Sequence, residues 1–203
     1  IEAAGDYLYV VMKGSGTRDS YTGNLVRYDL EDSSVKTYDC LNELSDKEIA
    51  HISYNSTTER LVIVYVNGNI DLLDADDNVC NISALKEKSI PGTAINQISH
   101  KDAKTYLSLK TGIVEIDTRE GVVLAQYLTG MNVYAIQFLM GKPFVSTSEG
   151  LYKVESVVDL YNQKTWTKVS DLIFTDICAF ADILYGISAT RLYYIKSDVQ
   201  QFD

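Results

Sequence analysis

Apolar and polar positions alternate along most of this chain in short runs closed by turn residues, the period of half-buried strands rather than of helices. Four segments repeat one layout of strand, tight turn and strand: 60–73 around Gly68, 104–117 around Gly112, 142–154 around Gly150, and 183–195 around Arg191. A fifth copy runs from Asp6 to Met12 and resumes at Gly23, its turn lengthened by the polar stretch Gly14–Thr22. Anchored on Gly23, Gly68, Gly112, Gly150 and Arg191, the copies are spaced 45, 44, 38 and 41 residues apart. A period of about 40–45 residues is that of a four-stranded antiparallel propeller blade.

Flanking strands complete the units, placing blades at about 1–40, 47–83, 94–128, 132–170 and 175–203 of one all-β propeller domain, 1–203. Pairs such as Asn67-Gly68 and Thr111-Gly112 supply the positive φ that a two-residue hairpin turn demands, whereas Arg191 implies another turn type or strain. Leu44–Ala50 and Ser83–Lys88 each allow about one helical turn, short of a regular helix. The first unit opens on only Ile1-Glu-Ala-Ala, as though its inner strand were clipped. Five units close a small ring or form a run of blades from a larger one, and the sequence leaves both open.

Composition narrows the function. With 28 Asp+Glu against 18 Lys+Arg the chain carries a net charge of −10, which argues against a nucleic-acid partner, since that needs a basic face. The longest apolar run, Leu61–Val66, is far too short to span a bilayer, so no membrane span is expected. Cys40, Cys80 and Cys178 form no C-x-x-C pair and read as half-buried hydrophobes, with one long-range disulfide as the alternative.

No catalytic constellation stands out, and neither an enzyme nor a cofactor is expected. The two histidines, His51 and His100, fall at different repeat positions and read as ordinary strand residues. Asp74-Ala-Asp-Asp-Asn78 faintly resembles a calcium loop but lacks its glycine and glutamate, so it reads as a polar hairpin turn with incidental calcium as the alternative. Asp71, Glu115 and Asp117 read as a solvated stripe. An enzyme would instead draw Glu48, Asp176 and Asp182 together around a metal or polar pocket. Tyrosines recur at matched positions, Tyr7, Tyr9, Tyr65, Tyr106 and Tyr185 among them, which reads as packing between blades. Tyr21, on the long polar loop, and Trp166 are the candidate binding residues.

The stretch Leu44-Ser-Asp-Lys-Glu-Ile-Ala-His-Ile-Ser-Tyr54, followed by Leu61–Leu73, resembles the amino-terminal propeller of PorZ-type proteins of the type IX secretion system in Bacteroidota. Thr105–Asp117 and Ser148-Glu-Gly-Leu-Tyr152 with Trp166 are similar to its following blades. The Gly-Leu-Tyr turn is also similar to those of two-component-regulator propellers. The resemblance implies a non-catalytic, periplasmic or cell-surface scaffold that docks a protein of a secretion complex, or a glycan, on one face. PorZ-type proteins carry a further carboxy-terminal domain that these residues do not include, so secretion signalling is not carried over. A glycan-sensing propeller and, less favoured, a polysaccharide-active enzyme are the competing expectations. The match lies in strands and turns and transfers no ligand residue.

Overall fold

The computed structural model describes residues 1–12, 24–195 and 199–201. Its strands form five four-stranded antiparallel sheets, each assembled from consecutive strands in chain order, which is the blade pattern. Blade 1 comprises β1 (Glu2–Ala4), β2 (Tyr7–Met12), β3 (Asn24–Asp29) and β4 (Val35–Tyr38). Blade 2 comprises β5 (Ile49–Asn55), β6 (Arg60–Tyr65), β7 (Ile70–Leu73) and β8 (Val79–Ile82). Blade 3 comprises β9 (Ile95–Lys101), β10 (Lys104–Leu109), β11 (Gly112–Asp117) and β12 (Val122–Leu128). Blade 4 comprises β13 (Val133–Leu139), β14 (Lys142–Thr147), β15 (Gly150–Lys153) and β16 (Thr167–Ser170). Blade 5 comprises β17 (Asp176–Phe180), β18 (Ile183–Ser188), β19 (Arg191–Ile195) and β20 (Val199–Gln201). A four-residue helix, α1 (Ala84–Glu87), follows blade 2 where one turn is expected, whereas 44–48 holds no helix and β5 starts at Ile49.

The turns depart from expectation in an informative way. The two-residue turns in which both residues take positive φ join the first and second strands of a blade. Ala181 and Asp182 (φ 48° and 59°) link Phe180 to its partner Ile183, and Met140 and Gly141 (φ 49° and 77°) link Leu139 to Lys142. At the anchor positions the glycine does other work. The Asn67-Gly68 turn is a three-residue loop in which the Gly68 N–H bonds the Tyr65 carbonyl at φ 85°, and a Cβ there would lie 2.0 Å from the Ile90 carbonyl oxygen. Gly150 follows the two turn residues at φ 122°, and a Cβ there would lie 2.3 Å from the Ser170 carbonyl oxygen. In blade 5 the strain moves off Arg191 and onto Ala189, at φ 54°.

The contacts group the chain into two compact units: residues 1–94 with 102–104 and 117–123, and residues 95–101 with 105–116 and 124–203. In the first unit Tyr9, Leu25 and Tyr38 of blade 1 pack on Leu61, Ile63 and Tyr65 of blade 2. In that unit, too, the Asn55 amide donates to the Asp102 carbonyl (3.0 Å) and the Arg60 guanidinium to the carbonyls of Thr118 (3.0 Å) and Arg119 (2.9 Å). In the second unit Tyr106, Ile113 and Tyr127 pack on Val133, Ile136 and Val145 of blade 4, whose other face meets Phe174, Ile177 and Leu184.

Candidate functional site

Building outward from charge, one polar network in the first unit centres on Asp77, in the turn between β7 and β8. Asp74 closes that turn locally, its Oδ1 accepting the N–H groups of Asp76 (3.0 Å) and Asn78 (2.9 Å). The Asp77 carboxylate reaches blade 1, where it accepts from Arg27 (2.9 Å), Lys36 (2.8 Å) and the Tyr38 hydroxyl (2.5 Å). Against the upward pull of burial, these donors and the Arg27 charge hold the Asp77 carboxyl below its ordinary range. Burial, then the bond to Asp77, pushes the Tyr38 hydroxyl upward, so it stays a proton donor. The segment read as a calcium-like loop is thus a strap between blades. Among the described residues no group of three or more His, Cys, Asp or Glu could hold a metal ion.

Beside the strap lies a cavity of about 190 Å³ lined by Asp6, Tyr7, Tyr9, Tyr54, Glu59 and Leu73 among others. The β1–β2 turn supplies Asp6, the loop after β5 supplies Glu59, and alternation along β2 turns both Tyr7 and Tyr9 to the blade 2 side. Glu2 ties the two inner strands together, its carboxylate accepting the Tyr54 N–H at 2.7 Å. The Arg27 guanidinium lies 4.7 Å from the Tyr7 ring centroid. Burial raises the Tyr54 hydroxyl, and the charge of Glu59 adds to that. A second cavity, about 240 Å³, is lined by Asp46, Lys47, Glu48, Tyr65 and Asn67. Its Asp46 is already committed to Asn67 (2.6 Å) and Lys86 (2.8 Å), which hold its carboxyl low against the opposing effect of burial.

The carboxylates expected to form a solvated stripe are instead core residues. Asp71 is 0% exposed and accepts from the Tyr65 hydroxyl (2.5 Å), the Asn81 amide (2.8 Å) and the Ser45 N–H (2.8 Å). Glu115 is 2% exposed and accepts from the Tyr127 hydroxyl and, at 3.4 Å, from that of Tyr106. Burying a carboxylate is tolerable only with such donors. The tyrosines at matched positions supply them, and this role is invisible in a list of aromatic positions. Only Asp117 keeps a local surface role, accepting the N–H groups of Arg119 (2.9 Å) and Glu120 (3.0 Å).

In the second unit Asp176 accepts from the Gln97 amide at 2.5 Å, and Asp182 sits in a turn beyond the far end of β17. Five strand residues at about 3.3 Å each hold these two apart, so they do not converge. His100 bonds the Thr105 hydroxyl at 2.9 Å, and burial lowers its imidazole to about 4. Burial likewise lowers His51. Trp166 is 8% exposed, packed edge-on to Tyr152 with its indole N–H donating to the Asp159 carbonyl (3.0 Å). Its ring is therefore taken up by the interior, and it stands just before β16 rather than in a strand. Tyr21 lies outside the described residues. All three cysteines are free thiols, and Cys178 is exposed rather than half-buried.

Cys178 belongs to an exposed, partly apolar face of blade 5. One face of blade 5 carries Phe180, Ile187 and Leu192, exposed by 73%, 45% and 43%, while the opposite face buries Ile177, Leu184 and Ile195. Cross-strand partners Asp176–Ile187 and Ile187–Leu192 share the open face by register.

Comparison with known proteins fits this architecture. The family described as "TSS9, PorZ, N-terminal beta-propeller domain" matches residues 21–167, more than half of the chain. The PorZ structure from Porphyromonas gingivalis, an essential surface component of its type IX secretion system, is 24% identical with a TM-score of 0.80 over 89% of this chain. This chain spans 26% of that one, about a quarter of its length. Two extracellular domains from B. thetaiotaomicron share the fold. One, described as part of a hybrid two-component system, is 18% identical (TM-score 0.61), covering 93% of this chain and 29% of its own. The other, described as part of a one-component system, is 13% identical (TM-score 0.65), covering 96% and 26%. No curated protein sequence matches. No helix among the described residues is long and apolar enough to cross a membrane. The fold, the repeat and the matched residues together place this chain in the PorZ N-terminal β-propeller family.

Proposed function

We propose that this chain is a non-enzymatic, extracytoplasmic scaffold propeller that docks a protein partner of a type IX secretion or cell-surface attachment complex. Its 203 residues are read as consecutive blades of one propeller. The observation that carries the reading is the match of residues 21–167 to the PorZ N-terminal β-propeller family. Family membership supplies the partner class, and Tyr21 stays a proposed contact on sequence grounds.

The test deletes the gene for the intact polypeptide in its own bacterium, then restores it unchanged. Deletion is expected to leave secreted cargo unattached at the cell surface, and restoration to return it. Normal cargo attachment after deletion sinks the reading. The shared fold with the two-component extracellular domain favours a glycan-sensing propeller as the second reading, in which deletion changes transcription in response to a glycan and leaves cargo untouched.

A further inference from the structure

The first unit already shows how this protein holds a cation. Arg27 lies 4.7 Å from the Tyr7 ring centroid and 5.7 Å from that of Tyr38, with its charge met by Asp77 at 2.9 Å. The neighbouring cavity shares the Tyr7 ring with that site. It offers the Tyr7 and Tyr54 rings with the carboxylates of Asp6 and Glu59, both residues exposed, and among the described residues no Lys or Arg lines it. Neither carboxylate forms a salt bridge among the described residues, while Arg27 and Lys36 both pair with Asp77, which does not line the cavity. The cavity therefore faces outward with uncompensated negative charge beside aromatic faces, on a chain whose net charge of −10 already draws cations.

Size narrows the ligand further. About 190 Å³ falls short of the roughly 300–1,000 Å³ of sites that enclose free small molecules. It suits one long side chain, and arginine anchors seated in pockets are typical of protein interfaces. We propose that the cavity between Asp6, Tyr7, Tyr54 and Glu59 seats an arginine side chain of a protein partner. The planar guanidinium stacks on tyrosine and donates to two carboxylates at once, which a sugar hydroxyl or a lysine ammonium does less well. The inference rests on the docking reading above, but its chemistry is separable from any role in secretion.

The experiment is a titration of the full chain with N-acetyl-arginine amide, followed by the NMR signals of the Tyr7 and Tyr54 rings. Saturable shifts at both rings are expected, at least several-fold weaker with N-acetyl-citrulline amide, which has the same shape without the charge. Glu59→Gln and Asp6→Asn, both at exposed positions, should each weaken binding by about tenfold and leave the Tyr38 ring unmoved. Absence of saturable shifts, equal binding of the citrulline compound, or unchanged affinity in both variants overturns the proposal. Shifts at the same rings with cellobiose but not with the arginine amide overturn it in favour of a glycan subsite. A failed secretion phenotype with intact arginine binding would sink the scaffold reading alone.

Discussion

Blades 2 and 5 follow the same repeat and the same hairpin order, yet they differ in what covers them. In blade 2 five of the six β6 residues and all four of β7 are buried, so the sheet is enclosed on both faces. Among the described residues of blade 5 only Ile177 of β17, Leu184 and Gly186 of β18 and Ile195 of β19 are buried, all on one face, and the opposite face is exposed. The difference is partly written into the strands: Leu61–Val66 is continuously apolar, whereas Gly186 and Ser188 interrupt the apolar residues of β18. A continuous apolar run marks burial on both faces. Enclosure lets blade 2 carry a buried carboxylate in its interior.

The largest test of that contrast removes the carboxylate. Asp71→Ala strips the acceptor from the Tyr65 hydroxyl, the Asn81 amide and the Ser45 N–H at a fully buried position. Stranded buried donors cost about 1–3 kcal/mol each, partly offset by relaxation, so a loss of about 3–4 kcal/mol is expected in urea unfolding. A midpoint unchanged within error would mean that the site is wet and blade 2 is not sealed. Asp71→Asn, which keeps one acceptor, should lose less.

Acid separates the blades next. His51 stands on β5 of blade 2 and His100 on β9 of blade 3, and these are the two histidines of the chain, so blade 5 has none. Burial lowers both, His100 to about 4. Because the folded value lies below the ordinary 6.5, the unfolded chain binds the proton first. Stability is then complete above about pH 6.5, falls as pH drops toward 4, and levels off below it. For His100 the loss across that window is about 3 kcal/mol. Hydrogen exchange at pH 5 against pH 7.5 should show loosening at β5 and β9 with β18 little changed. His100→Gln should flatten the His100 share, and an acid response undiminished in that variant would assign it to other groups.

Much of this was legible in the residues. The five strand repeats follow from alternation and turn spacing, because strand period is local, whereas the turn types were not legible, since positive φ falls on residues such as Met140, Ala181 and Ala189. The burial of Asp71 and Glu115 was not, since alternation assigns a residue to a face without saying whether that face is covered. For Asp71 the warning sat on the neighbouring strand, in the continuous run of β6. The tyrosine cavity needs residues from two blades, Tyr7 and Tyr54, which only packing brings together. Trp166 signalled an aromatic outcrop by composition, but its partners Tyr152 and Asp159 take it inward.

A smaller effect concerns the turn of blade 5 in which the glycine pattern lapses. Ala189 holds φ 54°, a left-handed conformation that an L-residue adopts at a cost of about 1 kcal/mol. Ala189→Gly removes that cost and pays some of it back in chain entropy, so a gain of about 0.5 kcal/mol is expected. The matched change in blade 2, Gly68→Ala, meets the Ile90 carbonyl at 2.0 Å and should be strongly destabilising. Loss of stability on Ala189→Gly would show that the blade 5 turn is not the strained one.

The smallest expected change in stability is also the most telling for coverage. Leu192→Ser alters a side chain that is 43% exposed on the open face, and should shift the unfolding free energy by less than about 0.5 kcal/mol. Leu72→Ser, at an enclosed position 1% exposed, should cost about 3 kcal/mol or more through lost burial and an unsatisfied hydroxyl. If the two substitutions cost the same, the blade 5 face is as sealed as blade 2. If Leu192→Ser is silent in unfolding, that face takes no part in the packing of these blades, and the contrast with blade 2 is one of coverage rather than of sheet pairing.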